Sequence, residues 1–477
     1  MATLTASYLH PFGDAVRIEH GRVSVLRDTL LATDRMDRLA RDAVFAAQPA
    51  QSVARWLIWE LAQAVGVRPA SIHDLYMARG RGLVHGFTVP AINVRGMAYD
   101  TARSIFRTAR AIEAGAFICE IARSEIGYTD QRPAEYTAVI LAAALREGFR
   151  GPVFLQGDHF QVNAKKYAVD PEPEVRAVKQ LAREAVAAGF YNIDVDTSTL
   201  VDLHRQTLAD QQRLNVEAGA DIIADVRSIQ PAGVTISIGG EIGEVGTKNS
   251  TVEELRAYMS GLAAVLAGRG SARAPDAGLS KISVQTGTSH GGVVLPDGSI
   301  ADVKVDFHTL EELSRVARAE YGLAGAVQHG ASTLPDAAFH HFPRTETAEI
   351  HLATNFQNIL FDHLPAATRD EVYAWLRVNA KDERKPSDTD EQFFYKTRKK
   401  ALGPFKRAFW DLSEETKAEL AAAYDAKFRF LFEQLAVGGT ASMVARYVDA
   451  AEQHRAPPDG SDAGAVAAAP DDTDLSD

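Results

Sequence analysis

The chain has 477 residues, 46% hydrophobic and 24% charged, and its 51 Lys and Arg against 63 Asp and Glu leave a net charge of −12. This fits roughly two to four globular domains or one large α/β barrel with additions, and the negative charge argues against nucleic acid as the main partner. No run approaches about 18 apolar residues, so no membrane helix is expected, and the single cysteine, Cys119, excludes an internal disulfide and a cysteine-built zinc site and suits a reducing cytoplasm.

The segment from Met1 to His20 lacks a basic stretch followed by an apolar run, so no secretory signal is expected there. From Arg22 to about Gly80 the apolar spacing is helical, as in the stretch that starts at Val53, and residues 1–80 read as an N-terminal helical extension. From about Gly82 onward short apolar runs recur: Thr88–Val94, Ala116–Ile121, Pro152–Gln156, Tyr191–Val195, Val234–Ile238, Lys281–Gln285, Gly325–Gln328 and Ala348–Leu352. Amphipathic stretches such as Thr101–Ala114, Pro133–Glu147, Glu172–Ala188 and Val252–Leu266 separate most of them. Alternating strand and helix requires parallel pairing. Eight such units over residues 81–366 predict a (β/α)8 TIM barrel, with an open doubly wound sheet as the competitor. Residues 367–455 read as helices and contain the basic segment Lys396–Lys400. Residues 456–477 hold six Asp and no basic residue and read as a disordered acidic tail.

In such a barrel the reactive groups stand at the C-terminal ends of the strands. The apolar runs lead there into Gly157-Asp158-His159, Asp196 with Ser198, Gly239-Gly240-Glu241, Gly287 to Gly292 with His290, and His329-Gly330-Ala331-Ser332. Three histidines close to glycine at three strand ends suit a divalent transition metal with an open coordination position. The neighbouring glycines leave backbone amides free for an anion. Asp158 is placed to act as acid or base beside them.

These segments resemble, in order and spacing, the class II metal-dependent ketose-bisphosphate aldolases. Ala91-Ile92-Asn93-Val94 is similar to the family's first-strand motif, and Ser124 to its serine after the second strand. Asp158-His159 resembles its aspartate–histidine pair, Asp196-Thr197-Ser198 its D-x-S and Glu241-Ile242-Gly243 its E-L-G. Gly287 to Gly291 resembles G-x-x-H-G, His329 to Ser332 resembles H-G-G-S, and Ala441 to Arg446 is similar to the T-S-M-I-A-R close of the longer subclass.

The resemblance implies Zn2+, or another divalent transition metal, held by His159, His290 and His329 with Glu241 near the metal. It implies Asp158 as the group that moves the C4 hydroxyl proton, and a substrate and phosphate cradle of Asn93, Ser124, Gly291, Gly330, Ser332, His351 and Thr354. The implied reaction is reversible cleavage of a ketose bisphosphate, with fructose 1,6-bisphosphate as the default, to dihydroxyacetone phosphate and an aldehyde such as glyceraldehyde 3-phosphate. A homodimer or larger homo-oligomer is implied as well, with no nucleic-acid or membrane partner.

Several positions depart from the family pattern. Glu244 is the candidate for the loop acid, in a loop that is shorter and different. His351 and Ala353 replace the asparagine and aspartate of the last strand, Val294 replaces a lysine, and Glu433 falls where a phosphate-binding arginine is expected, with Arg429 or Lys396–Lys400 as substitutes. These departures weaken the phosphate site more than the metal site. They keep two alternatives open: an enzyme of the same scaffold acting on another sugar, including a retro-aldol epimerase, and a non-catalytic aldolase partner subunit. The segment Gly239-Gly-Glu-Ile-Gly lacks the G-x-G-x-x-G spacing and the P-loop lysine of a nucleotide site.

Overall fold

Eight strands form a closed parallel barrel: β1 (Val89–Asn93), β2 (Ile118–Ala122), β3 (Gly151–Gln161), β4 (Asn192–Asp196), β5 (Ser237–Glu241), β6 (Lys281–Val284), β7 (Ala326–Gln328) and β8 (Glu349–Leu352). Each pairs with the next, and β8 pairs with β1 to close the ring. The computed structural model describes residues 2–19, 22–243, 248–269, 278–287, 295 and 305–458. Helices Ala98–Ala111, Pro133–Arg146, Pro171–Ala188, Leu208–Ile229, Val252–Gly268, Phe307–Tyr321 and Thr354–Asp362 come after strands in the order a (β/α)8 barrel requires.

The barrel interior departs from the usual branched aliphatic filling. Glu120, Gln156, Asp194, Lys281 and Glu349 are all buried. Lys281 Nζ donates to Gln156 Oε1 at 2.8 Å, to Asp194 at 2.9 Å and to Glu349 Oε1. Gln156 Nε2 donates to Glu120 Oε2 and to Glu349 Oε1, both at 2.8 Å. Gly239 is required by this layer, because a Cβ there would sit 2.3 Å from Asp194 Oδ1 and 2.9 Å from Lys281 Cε.

The N-terminal region contains the helices Asp34–Phe45, Ala50–Ala64 and His73–Gly80. It also contains a hairpin, Val16–Glu19 with Arg22–Val25, and a strand, Val67–Ala70, that pairs parallel with the first residues of β3. These strands correct the purely helical expectation. The hairpin alternates apolar and polar over only four residues a side, too short a signal to stand out. The strand exists because Asn192 seals the junction: its Nδ2 donates to Ala70 O and Leu155 O, and its Oδ1 accepts from Ile72 N. Helix His73–Gly80 closes the barrel from below, and its Tyr76 hydroxyl donates to Glu349 Oε2.

Beyond the barrel, helix Glu414–Gln434 packs along Ala98–Ala111, where Arg107 makes a two-pronged pair with Asp425 at 2.7 and 2.9 Å. The chain then returns to the N-terminal helix Ala50–Ala64. Trp56 Nε1 donates to Arg455 O at 2.9 Å, Trp59 Nε1 to Gln453 O at 2.6 Å, and the Arg455 guanidinium lies 3.4 Å from the Trp59 ring centre. Most of the expected acidic tail, residues 459–477, lies outside the described residues. Among the described residues no helix is long and apolar enough to cross a membrane.

Candidate active site

The site begins with a break in β3. The register against β4 shifts between Gly157 and Phe160, a bulge that re-aims the side chains around it. Within it His159 adopts φ 38, a left-handed conformation that a non-glycine residue holds only under constraint. Gly157 makes the bulge possible, since a Cβ there would lie 2.5 Å from the Phe160 ring. Asp158 and His159 therefore lie within a strand that runs on to Gln161. Arg123 helps hold the strand's end: it donates to Gln161 O and Glu174 Oε1, both at 2.7 Å.

His159 Nδ1 is 3.0 Å from Asp196 Oδ2 and 3.5 Å from Glu241 Oε2, and its Nε2 is 3.7 Å from Asp158 Oδ1. Asp196 is held in turn by Ser198, whose backbone amide and hydroxyl donate to Oδ1 at 3.0 and 2.7 Å, and by Gln161 Nε2 at 2.6 Å. A proton on His159 Nδ1 donated to Asp196 directs Nε2 to the Asp158 side, the carboxylate–imidazole arrangement common behind metal ligands. The His329 ring centre is 4.1 Å from those of both His159 and His351, and His329 Nε2 is 2.9 Å from Ser283 Oγ.

Asp158 is held from two sides. Asn93 Nδ2 donates to Oδ2 at 3.1 Å, and His351 Nδ1 is 3.0 Å from Oδ1. Burial alone would raise this carboxyl, but His159, His351 and His329 together hold it well below the ordinary carboxylate range. Burial would lower both His159 and His351. Asp158 with Asp196 and Glu241 reverses this for His159, Glu120 with Asp158 reverses it for His351, and both stand well above the ordinary imidazole value. For Glu241, burial together with Asp196 and Asp158 outweighs His159 and His351 and pushes it well up. Burial and Asp158 push Glu120 up to about 8, and burial pushes Asp194 up to about 6.

The donor chemistry fits a divalent cation. Asp158, His159 and His329 each offer a ligand atom within 4.8 Å of the others, as do His159, Asp196 and Glu241. Mixed imidazole and carboxylate donors in a buried, acid-rich pocket suit a borderline transition metal such as Zn2+.

The remaining expected residues divide into three groups. Gly330, Ser332 and Thr354 come together at the ends of β7 and β8. Gly330 adopts φ 66, Ser332 Oγ accepts from Ala353 N, and Thr354 opens the helix Thr354–Asp362. Ser124 is buried in the short helix Arg123–Tyr128 after β2. Glu244, His290 and Gly291, like Val294, lie outside the described residues. The proposed phosphate substitutes are engaged elsewhere: Arg429 pairs with Glu433 on an exposed helix face, Lys396 with Asp388, and Lys400 with Glu383.

The sequence reading missed Glu120, Asp194, Lys281 and Glu349 as members of this centre. A signal existed, since each is a charged residue inside an apolar run that must be buried on both faces.

Residues 82–416 match the class II fructose-bisphosphate aldolase family. The chain belongs to that family. Among solved structures, this aldolase-family chain is similar to a probable tagatose 6 phosphate kinase from Sinorhizobium meliloti 1021, with TM-score 0.54 and 17% identity, covering 76% of this chain and 99% of that one. It is also similar to the fructuronate-tagaturonate epimerase UxaE from Cohnella laeviribosi, with TM-score 0.52 and 11% identity, covering 88% and 93%. At those identities the likeness is one of fold. A curated protein, the small ribosomal subunit protein bS1 of a Synechococcus species, is 31% identical over 97 residues. That match spans 20% of this chain and 27% of the length of bS1.

Proposed function

We propose that this chain is a metal-dependent aldolase that reversibly cleaves the carbon–carbon bond of a ketose phosphate. The observation that carries this reading is the buried group of Asp158, His159 and His329, joined to Asp196 and Glu241 through His159, at the catalytic end of the barrel.

His159 and His329, with Glu241 beside them and His290, which follows β6 in the sequence, would hold the metal. Bound there, a divalent cation supplies Lewis-acid polarisation of the substrate carbonyl. Asp158 does the proton work. Held ionised with the help of His351, which is not among the proposed ligands, it takes the proton of the substrate hydroxyl in cleavage and returns it in condensation. Asn93 and His351 fix its two oxygens, so the proton leaves in one direction. Gly330, Ser332 and the first turn of Thr354–Asp362 offer amide donors and a helix N-terminus for a substrate phosphate. Glu244 remains the proposed loop acid. A cytoplasmic homo-oligomer goes with this reading.

A second reading has specific support. The groups that would hold phosphate are altered: Ala353 stands in place of the last strand's aspartate, and Arg429, Lys396 and Lys400 are paired with Glu433, Asp388 and Glu383. A site short of cationic clamps is a poor match for a bisphosphate and favours a ketose with fewer negative charges, cleaved or epimerised through the same retro-aldol step. The ketose acids named for the Cohnella laeviribosi epimerase, which carry no phosphate, belong to that class.

The deciding experiment is a substrate panel on metal-loaded protein: fructose and tagatose 1,6-bisphosphates, their monophosphates, and ketose acids, with aldehyde release and epimer formation both followed. Cleavage of a phosphorylated ketose that falls about 10²- to 10⁴-fold in Asp158→Asn supports the first reading. Epimer formation from an unphosphorylated ketose, without release of free aldehyde, replaces it with the second. No turnover of any panel member by protein with a full equivalent of metal overturns both.

A further inference from the structure

A second cavity lies at the opposite end of the barrel. It has a volume of about 420 Å³ and sits between the helix Phe307–Tyr321, the turn 80–82 below β1 and the turn 344–346 below β8. Residues at the N-terminal ends of strands are remote from the chemistry of a (β/α)8 enzyme, so the active site does not account for its lining.

That lining is rich in arginine. Arg81, Arg315, Arg318 and Arg344 face it together with Glu311 and Glu346. Glu311, Arg315 and Arg318 recur at helical spacing, which places them on one face of their helix. Glu346 is already committed: its Oε2 accepts from the fully buried Arg79 at 2.9 Å, and its Oε1 from the Gly86 amide at 3.0 Å. Arg318 reaches Glu346 only at 3.5 Å, and its Nε is buried with no hydrogen-bond partner among the described residues. Arg81, Arg315 and Arg344 are exposed and form no ion pair with a described residue. Four guanidiniums thus meet two carboxylates in one concave place.

We propose that this cavity is a binding site for a phosphate-bearing small molecule, separate from the catalytic centre. Its volume is that of a small-ligand pocket. Guanidinium is the side chain of choice for phosphate, which it binds through paired N–H donors. Several uncommitted arginines converging on one space suit a tetrahedral dianion with oxygens in several directions, whereas a carboxylate occupies one fork. The concave shape and the chain's net charge of −12 set this apart from a nucleic-acid surface.

Inorganic phosphate is the probe, titrated into the full-length chain by isothermal calorimetry and followed by 31P line broadening. Acetate at matched ionic strength serves as control. Arg315 and Arg344 are exposed, so Arg315→Ala and Arg344→Ala remove charge without opening the core. His159→Ala alters the catalytic end instead. The expected result is saturable phosphate binding that acetate does not mimic, that survives in His159→Ala, and that weakens about tenfold with each arginine removed. Arg315→Lys keeps the charge but loses the fork, and binding there falls between wild type and Arg315→Ala. Three outcomes overturn the proposal: no phosphate binding, binding equal to wild type in the doubly substituted chain, or binding lost in His159→Ala.

Discussion

His351 Nδ1 lies 3.0 Å from Asp158 Oδ1, which ties the last strand of the barrel to the third across its interior. The same nitrogen is 3.2 Å from Glu120 Oε1, and Nε2 is 2.8 Å from Glu349 Oε1 and 3.7 Å from Asp194 Oδ2, so the imidazole sits among four carboxylates. Its charge, after that of His159, helps hold Asp158 low, and its position fixes one of the Asp158 oxygens. His351→Ala is therefore expected to lower kcat about 10- to 100-fold while KM changes little, since the group orients a reacting residue behind the substrate. Steady-state kinetics on whichever substrate turns over decides this. A rise in KM at constant kcat would make His351 a binding group instead.

Removal of metal gives a second expectation. A cation held by His159 and His329 binds the folded chain far better than the unfolded one, so it contributes stability by mass action. Exhaustive chelation should abolish turnover and lower Tm by a few degrees, and Zn2+ should restore both. In His159→Ala neither addition nor removal of metal should shift Tm at comparable concentrations. Full activity in protein shown by elemental analysis to hold no metal would refute the metal-dependent reading.

Lys281 carries a third. Its ammonium is fully enclosed and bonded to Gln156, Asp194 and Glu349. Burial alone would raise Glu349, but Lys281 and His351 more than reverse this and hold it at about 2. Lys281→Met leaves two buried carboxylates short of their counter-charge, which costs about 3–5 kcal/mol. Removing one of those acids as well, in Lys281→Met/Glu349→Gln, should recover part of the loss, because the two side chains share one interaction. Urea denaturation of the three variants measures this. Additive losses in the double variant would show that the pair is not coupled.

The barrel was legible because each of its strands is buried on both faces and reads as a short apolar run. The limits of two strands were not. The fifth run, read as Val234–Ile238, forms β5 three residues later, at Ser237–Glu241. Its glycines look like loop residues in sequence but are strand residues, Gly239 made necessary by Asp194 and Lys281 and Gly240 by Tyr258 and Leu279. The Gly157-Asp158-His159 segment likewise reads as the end of a strand and proves to be a bulge within one. The candidate ligands His159 and His329 stood out because histidine close to glycine at the end of an apolar run is a local signal. The network of Lys281 with Gln156, Asp194 and Glu349 did not, because it joins Lys281 to residues 68 to 125 positions away that only closure of the barrel brings together.

The return of the chain to its N-terminal helix carries a pH-dependent expectation. His454 Nδ1 lies 2.7 Å from Glu60 Oε2, and Nε2 lies 2.8 Å from Glu452 Oε1. The hydrogen bond to Glu60, with help from Glu452, raises the imidazole above its ordinary value of 6.5. A folded-state value above the unfolded one means that the contribution is fully present below the ordinary value. It is lost as pH rises through the higher folded value. The attachment of residues 449–455 should therefore loosen on the alkaline side of 6.5, while the barrel, which does not depend on His454, stays folded. The reporter is built in: Trp56 and Trp59 bond to the backbone of this segment, and Arg455 covers the Trp59 ring. Tryptophan emission should titrate on the alkaline side of 6.5 in the wild-type chain. In His454→Ala it should be flat there, already at the loosened value. Glu60→Gln should move the midpoint down toward the ordinary value, because the first-named cause of the shift is gone. An identical titration in His454→Ala would assign the transition to another group and remove His454 from the attachment.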